Sequence, residues 1–195
     1  MILWINGAFG AGKTTAAFEL HRRIPASFVY DPENVGYFIR KNSPSALSQG
    51  DFQDIPLWRQ MNVEMLKLLS STHDGLIIVP MTLVNRKYYD EIITTLIDCG
   101  IHVEHCILYA SKATLIKRLN KRLERGESWA KQQIDRCIDA FDTVITDTKI
   151  MTDDKSVDEI VEQIARLSNL TLTRNRRTFI KRWFDRCLTM LKHIR

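Results

Sequence analysis

The sequence predicts an α/β protein in which a parallel sheet of about five strands lies between two layers of helices. Short apolar runs alternate with helical patterns along the 195 residues. One run, residues 76–79, is apolar throughout, which is typical of a strand buried on both faces of a parallel sheet. The first run leads through a glycine-rich turn into a helical pattern. The length suits one such unit with a core of its own.

The individual elements follow from the apolar pattern and from the residues that break it. Pro25 and Gly100 each end a helix, and the stretch at 42–50, rich in Ser, Pro and Gly, indicates a loop. Strands are predicted at residues 2–6, 27–30, 76–79, 103–109 and 149–152. Helices are predicted at residues 14–23, 35–40, 58–70, 88–99, 111–125, 130–141 and 156–167.

The turn after the first strand has the spacing G-x-x-x-x-G-K-T, which predicts a phosphate-binding loop and a P-loop NTPase fold. Glycines allow successive backbone N–H groups to surround a phosphate, and the helix that follows directs its positive end at the anion. Lys13 is expected to reach the outer phosphates of ATP as a catalytic residue, and the Thr14 hydroxyl to bind Mg²⁺. The predicted nucleotide-binding residues are Gly7, Ala8, Phe9, Gly10, Ala11, Gly12, Lys13, Thr14 and Thr15.

Two acidic residues, Asp31 and Glu33, follow the second predicted strand. Ligands of such sheets gather at the carboxyl ends of the strands, so both acids are expected near the phosphate loop. Asp31 would either help to hold Mg²⁺ or accept the proton of an acceptor hydroxyl, and Glu33 would contact the substrate. The alternative is that Asp31-Pro32 only opens a turn. The third strand ends in Pro80-Met81-Thr82, where many P-loop enzymes have an aspartate that holds Mg²⁺.

A group of arginines follows the fourth strand and predicts a kinase-like lid over residues 118–136. Arg118 and Arg122 share one helix face, while Arg125 and Arg136 flank the break at residues 126–129. Arg122 and Arg136 are predicted to close over the triphosphate and to neutralise charge during transfer. The alternative is a solvated helix face paired with neighbouring acids.

The long loop between the second and third strands is expected to face the acceptor substrate. Phe52 and Trp58 could stack on a base or a sugar, while Gln53 and Arg59 could bind polar edges. Trp58 could equally belong to the core.

The net charge of +5 is distributed unevenly. Residues 173–195 hold eight of the 28 Lys and Arg residues and one of the 23 acids, a net +7, which leaves −2 for residues 1–172. We therefore divide the chain into a kinase-like ATP-binding domain, 1–172, and a basic tail. Apolar residues recur in the tail at helical spacing, which predicts an amphipathic basic helix at an anionic membrane surface. The alternative is a helix that packs on the domain; nucleic acid is not expected, because it would not explain the apolar stripe.

Cysteine usage and the chain start bear on localisation. The four cysteines lie far apart and match no zinc pattern, which favours a reducing compartment. The first strand begins at once, without a signal peptide, and no apolar stretch is long enough to span a membrane. A cytoplasmic protein is expected, with the tail as its route to the inner face of the cell membrane.

Several motifs together resemble the tunicamycin resistance protein family. They are W-I-N-G-A-F-G-A-G-K-T at 4–14, F-E-L-H-R-R at 18–23, V-Y-D-P-E at 29–33, D-F-Q at 51–53, P-L-W-R at 56–59, I-V-P-M-T at 78–82 and S-W-A-K-Q-Q-I-D-R-C at 128–137. The resemblance implies an adenylate-kinase-like protein that binds ATP and confers resistance to tunicamycin, a nucleoside antibiotic with lipid character. It also implies a tail that associates with the membrane.

Three functions remain open at this stage. The first is a Mg²⁺-dependent phosphotransferase that acts on tunicamycin or a related nucleoside antibiotic, which the acid at Asp31 favours. The second is a protein that sequesters the drug at the membrane and uses ATP only to set its conformation, which the missing third-strand aspartate favours. The third is a nucleoside or small-metabolite kinase unrelated to drugs.

Overall fold

The computed structural model describes residues 1–44, 50–121 and 128–193. It confirms the predicted class, with a fully parallel five-stranded sheet of order β2-β3-β1-β4-β5. The strands are β1 (Ile2–Gly7), β2 (Ser27–Val29), β3 (Leu76–Pro80), β4 (Val103–Tyr109) and β5 (Lys149–Met151). The helices are α1 (Lys13–Arg23), α2 (Glu33–Lys41), α3 (Pro56–Thr72), α4 (Arg86–Tyr89), α5 (Thr95–Asp98), α6 (Lys112–Lys121), α7 (Trp129–Gln132), α8 (Ile134–Thr143), α9 (Val157–Leu167) and α10 (Phe179–His193).

The central strand β1 is buried on both faces. It pairs with β3 on one side and with β4 on the other, so Leu3 lies opposite Ile78 and Glu104. Because side chains alternate across a strand, Leu3 and Ile5 enter the core beneath α1, α6, α8 and α9. Ile2 and Trp4 enter the core beneath α2, α3 and the helical segment around α5. The fully apolar runs in β1 and β3 therefore reflect a sheet covered on both sides.

Some helices differ in detail from the prediction. The helix expected at 88–99 is continuous through α4 and α5 but contains a π-helical turn, Asp90–Thr94, between them. The helix expected at 130–141 is divided into α7 and α8, and the Ser128 hydroxyl accepts a hydrogen bond from the Lys131 N–H at the start of α7. Helix α6 is described as far as Lys121. Residues 122–127, which include Arg122 and Arg125, lie outside the described part of the chain.

The tail contains helix α10, and some of its arginines pair with acidic side chains of the domain. Arg182 and Arg186 donate to the carboxylate of Asp158 on α9, at 2.8 and 3.3 Å. Arg22 of α1 reaches back to the Thr189 hydroxyl, at 2.7 Å. Helix α10 therefore packs on the domain, as the packing alternative predicts, and these arginines contribute to the docking.

A buried carboxylate anchors the segment before α10. The Glu19 side chain on α1 is fully buried, and Arg177 donates to its Oε1 atom. Asn175 donates to the same oxygen at 3.2 Å, while Arg22 lies 3.5 Å from Oε2. Burial of a carboxylate is costly unless it is paired, so these contacts stabilise the docked tail.

The outer face of α10 is apolar. Ile180 is 78% exposed, Phe184 55% and Leu188 41%, and the spacing of four residues places all three on one side of the helix. Among the residues that the structure describes, no helix has the length and apolar character needed to cross a membrane.

The Glu19 contact leads to a prediction about stability. Arg177→Ala leaves a fully buried carboxylate with the neutral Asn175 amide and the more distant Arg22, and we expect the free energy of unfolding to fall by about 3 kcal/mol. Arg176→Ala, an exposed neighbour in the same segment, is the matched control and should cost less than about 0.5 kcal/mol. Urea denaturation of both variants measures the difference. Equal losses in the two variants would contradict the role of Glu19.

Candidate active site

The phosphate loop connects β1 to α1 through glycines in a conformation that other residues rarely adopt. The φ angles are +143° at Gly7, +84° at Gly10 and +102° at Gly12. At Gly7 the neighbouring strand also leaves no room, because a Cβ atom would lie 2.5 Å from the carbonyl oxygen of Leu108. The glycine spacing is therefore required both by backbone conformation and by close packing.

The Lys13 side chain folds over this loop. Its Nζ atom donates to the carbonyl oxygens of Gly7 and Ala8, at 2.9 and 3.1 Å, and lies 5.5 Å from the centre of the Phe9 ring. Lys13 is also the first residue of α1, so a cation and the positive end of a helix meet at one place. This combination fits an anion such as the phosphates of a nucleotide.

A cavity of about 560 Å³ lies above the loop. Its walls bring together residues that are far apart in the sequence, and they include Lys13, Thr14, Asp31, Glu33, Phe52 and Gln53, which the sequence assigns to the site together with Phe9 of the loop. The remaining described residues of the lining are Phe9, Gly10, Gly12, Tyr37, Arg40, Gly50, Asp51, Pro80, Met81, Ser128, Trp129 and Ala130. Phosphate-binding and acidic groups therefore share one space.

Two of the acidic residues are held by the start of α2. Asp31 Oδ1 accepts a hydrogen bond from the Glu33 N–H at 3.0 Å. Glu33 Oε2 accepts from the Tyr37 hydroxyl at 3.4 Å. The Asp31-Pro32 turn therefore places the carboxylate at the cavity wall, and its role in catalysis or metal binding stays a prediction.

Asp51 is a third acid in the cavity, for which the sequence predicted no role beyond its place in the D-F-Q motif. Its Oδ1 atom accepts from the Gln53 N–H at 3.0 Å. Burial raises the pKa of the Asp51 carboxyl, although the Gln53 N–H and the positive charges of Arg136 and Arg40 act in the opposite direction. The available signal was its position directly before Phe52 in the D-F-Q motif, at the start of a short 3₁₀ turn, Phe52–Asp54.

Trp58 and Arg59 lie behind the cavity and do not line it. Trp58 is fully buried, and its indole N–H donates to the carbonyl oxygen of Pro32 at 3.0 Å. Arg59 is also buried, where it pairs with Glu91 and donates to the carbonyl oxygen of Gln53. The prediction that these two side chains contact a ligand is corrected, because neither is accessible from the cavity.

Phe52 does line the cavity, but its ring is largely engaged with protein groups. The Arg40 guanidinium lies over it, 5.2 Å from the ring centre, and the Trp58 ring lies 5.4 Å away. Phe9 and Trp129 form a second aromatic pair at the cavity, with ring centres 5.1 Å apart and an interplanar angle of 74°. This contact, which the sequence does not predict, joins the phosphate loop to α7.

The predicted arginine clamp is only partly within the described residues. Arg136 donates to the Gln133 side chain at 3.1 Å and does not line the cavity in this conformation. Arg118 donates to the Thr152 hydroxyl at 2.9 Å and to the carbonyl oxygen of Ala11 at 3.4 Å, so it ties α6 to the phosphate loop. Arg122 lies outside the described residues.

The donor set suits a magnesium ion that arrives with a nucleotide. Thr14 and Asp31 both line the cavity, and residues 1–44, 50–121 and 128–193 contain no group of three His, Cys, Asp or Glu side chains placed to hold a metal. Mg²⁺ commonly takes one or two protein ligands and completes its shell with phosphate oxygens and water. The residues present fit that mode of binding.

A parallel sheet of this strand order, with a glycine-rich loop between β1 and α1, defines the P-loop class of proteins. Residues 2–144 match the sequence model of the AAA domain family. The structure is similar to that of the tunicamycin resistance protein of Deinococcus radiodurans, with 33% identity, coverage of 89% of this chain and 98% of that chain, and a TM-score of 0.77. The chain therefore belongs to the AAA domain family and to the tunicamycin resistance proteins.

More distant structures share the fold. A sugar kinase from Janibacter sp. HTCC2649 has 16% identity, coverage of 87% of this chain and 95% of that chain, and a TM-score of 0.61. The APS kinase of Mycobacterium tuberculosis, solved in complex with AMPPNP and APS, has 17% identity, coverage of 86% and 96%, and a TM-score of 0.58. No curated protein matches the chain significantly.

The geometry at Gly7 leads to a prediction. Gly7→Ala combines a strained φ angle with a contact to Leu108, and we expect the free energy of unfolding to fall by about 3 kcal/mol or more. Gly100→Ala is the matched control, because Gly100 has a φ of +78° but open space around it, and should cost about 1 kcal/mol. Chemical denaturation measures both. Equal losses would show that the approach of β4 does not restrict Gly7.

Proposed function

We propose that the protein is a Mg²⁺-dependent phosphotransferase that transfers a phosphoryl group from ATP to tunicamycin or a related nucleoside antibiotic. The observation that carries the proposal is that Lys13 and Thr14 line the same cavity as Asp31 and Glu33. The likeness to a tunicamycin resistance protein supports the choice of acceptor. The cavity volume of about 560 Å³ lies within the usual range for small-molecule sites.

The loop Gly7–Thr15 binds the phosphates in this proposal. Its backbone N–H groups and the start of α1 surround them, and Lys13 leaves the carbonyl oxygens of the loop to contact the outer phosphates. Mg²⁺ bound by the Thr14 hydroxyl, with phosphate oxygens and water as its other ligands, would supply positive charge to the phosphates, while Asp31 serves as the proton acceptor. Arg136 and Arg122 are proposed to approach the phosphates when the lid segment closes.

The transfer itself needs a proton acceptor for the attacking hydroxyl. Asp31 takes the hydroxyl proton as the acceptor oxygen bonds to the γ-phosphorus. The bond from the γ-phosphorus to the bridging oxygen breaks, ADP leaves, and the proton passes from Asp31 to solvent. Glu33, Phe52 and Gln53, which line the same cavity, would position the acceptor.

A second function is an ATP-dependent binding protein that retains the drug without changing it. The observation that favours it is Thr82, which lies just beyond β3 where many P-loop enzymes have a carboxylate. Its hydroxyl is buried and donates to the carbonyl oxygen of Gly7 at 2.8 Å, so it is engaged with the loop. A nucleoside or small-metabolite kinase is the remaining alternative.

The reaction is tested by mass spectrometry of tunicamycin after incubation with the protein, ATP and Mg²⁺. We expect a gain of one phosphate, and we expect Asp31→Asn to reduce the rate about a hundredfold or more while ATP still binds. Asp98→Asn, at an exposed position, is the matched control and should retain full activity.

The outcomes separate the three functions. Unchanged tunicamycin that remains bound to the protein in the presence of ATP would refute the phosphotransferase and favour sequestration. A panel of nucleosides and sugars that accept phosphate when tunicamycin does not would favour a metabolite kinase. Lys13→Ala should abolish activity or retention in either case, because both need the nucleotide.

We further propose that the protein works at an anionic membrane surface through the outer face of α10. Arginines of the tail pair with the domain, but other basic residues of the tail, Arg174, Arg176 and Lys181, are exposed. Lys181 directly follows Ile180, the first residue of the exposed apolar stripe. An apolar stripe flanked by basic side chains suits a surface of anionic lipid.

Vesicle sedimentation tests this proposal. The full-length protein should bind vesicles of phosphatidylglycerol and phosphatidylcholine more tightly than vesicles of phosphatidylcholine alone. Phe184→Ser should weaken that binding about tenfold, because it removes a large apolar side chain from the contact. Leu57→Ser, at a position 51% exposed on α3, is the control. Equal effects of both substitutions, or no preference for anionic lipid, would refute the proposal.

A further inference from the structure

Thr82 links the phosphate loop to the opposite wall of the cavity. Its hydroxyl donates to the carbonyl oxygen of Gly7 at 2.8 Å, and its own carbonyl oxygen accepts from Gln53 Nε2 at 3.1 Å. Thr82 is 4% exposed and Gln53 5%, so both hydrogen bonds lie in the protein interior. Hydrogen bonds are stronger in such low-dielectric surroundings, and a buried polar group that loses its partner is costly, so satisfied networks of this kind are rigid.

At one end of this connection, the loop entry is fixed to the segment after β3. Asn6 Oδ1 accepts from the N–H groups of Gly7 and Leu83, at 2.9 and 2.8 Å, and Asn6 Nδ2 donates to the Leu83 carbonyl oxygen at 2.8 Å. The carbonyl oxygen of Gly7 is also the group to which Lys13 donates. If a bound phosphate draws Lys13 away from the Gly7 carbonyl oxygen, Thr82 is then the side chain that still donates to this oxygen.

At the other end, Gln53 holds Asp51, the acidic residue on this wall of the cavity, in position. Its N–H is the donor to Asp51 Oδ1, and its carbonyl oxygen accepts from the buried guanidinium of Arg59. Gln53 and Asp51 both line the cavity. The connection therefore runs from Lys13 and Gly7 through Thr82 to Gln53 and Asp51 without passing through solvent.

We propose that Thr82 is a positioning residue that couples nucleotide binding at the phosphate loop to binding of the acceptor at the Asp51 and Gln53 wall. The inference rests on the proposed function in one respect, namely that the cavity takes a nucleotide and an acceptor together. Nucleotide binding that orders Gly7 also orders Gln53 through Thr82. The acceptor then binds to residues that are already ordered, so its binding costs less conformational entropy. The coupling is reciprocal, because it is a free energy shared by the two sites.

Calorimetry measures this coupling directly. Tunicamycin is titrated into the full-length protein with and without AMPPNP and Mg²⁺, and we expect the nucleotide to tighten its binding about fivefold or more. Thr82→Val keeps the shape of the side chain but removes the hydroxyl, so the ratio of the two dissociation constants should fall to about one. Thr82→Ser restores the hydroxyl and should restore the ratio. Thr72→Val, at the exposed end of α3, is the matched control.

Hydrogen exchange gives a second readout that needs no acceptor. AMPPNP and Mg²⁺ should slow amide exchange in residues 51–55 of the wild-type protein and of Thr82→Ser, but not of Thr82→Val. Thermal unfolding of each variant verifies that it is folded. A merely structural role of Thr82 would lower stability and leave the nucleotide-dependent slowing unchanged.

The two readouts separate failure of the coupling from failure of the proposed acceptor. If tunicamycin does not bind but the exchange pattern is as expected, the acceptor is wrong and the role of Thr82 stands. Nucleotide-dependent slowing that is the same in Thr82→Val, or absent from the wild-type protein, overturns the role of Thr82. If AMPPNP does not bind at all, both proposals fail.

Discussion

The exit of the chain from β1 at Gly7 is the constraint on which the rest of this structure depends. Residues 2–5 are fully buried between two helical layers, so the strand cannot shift without disturbing both cores. The chain must then turn within a few residues to begin α1, beside β4, where only glycine fits. The hydrogen bonds of Asn6, Lys13 and Thr82 all converge on this turn. The site is therefore built on the most rigid part of the sheet.

Local rules were sufficient for the parts of the site that follow strands directly. Lys13 and Asp31 could be placed from the sequence, because the carboxyl ends of parallel strands meet at one edge of a sheet. The parallel sheet and the two helical layers followed from the alternation of apolar runs with helical periods, whereas the strand order came only from the structure. These features depend on spacing within a few residues or on a general rule of the fold.

Features that depend on tertiary packing were not accessible in this way. Trp58 and Arg59 are residue types that often bind ligands, but α3 directs both side chains into the protein. There the Pro32 carbonyl oxygen accepts from the Trp58 indole, and Glu91 pairs with Arg59. Asp51 enters the cavity because the 3₁₀ turn that it begins is tied to Thr82, a contact between positions 29 residues apart. The basic tail likewise finds its partners, Glu19 and Asp158, only in the folded chain.

The contact between Trp129 and Phe9 gives the protein an optical probe of its own. Of the tryptophans whose side chains the structure describes, Trp4 and Trp58 are fully buried, whereas Trp129 is 47% exposed and touches the phosphate loop. Rearrangement around Lys13 changes the surroundings of that indole ring and leaves the two buried rings in the core. Intrinsic fluorescence can therefore follow events at the loop in real time, in the unmodified chain and without a chemical label.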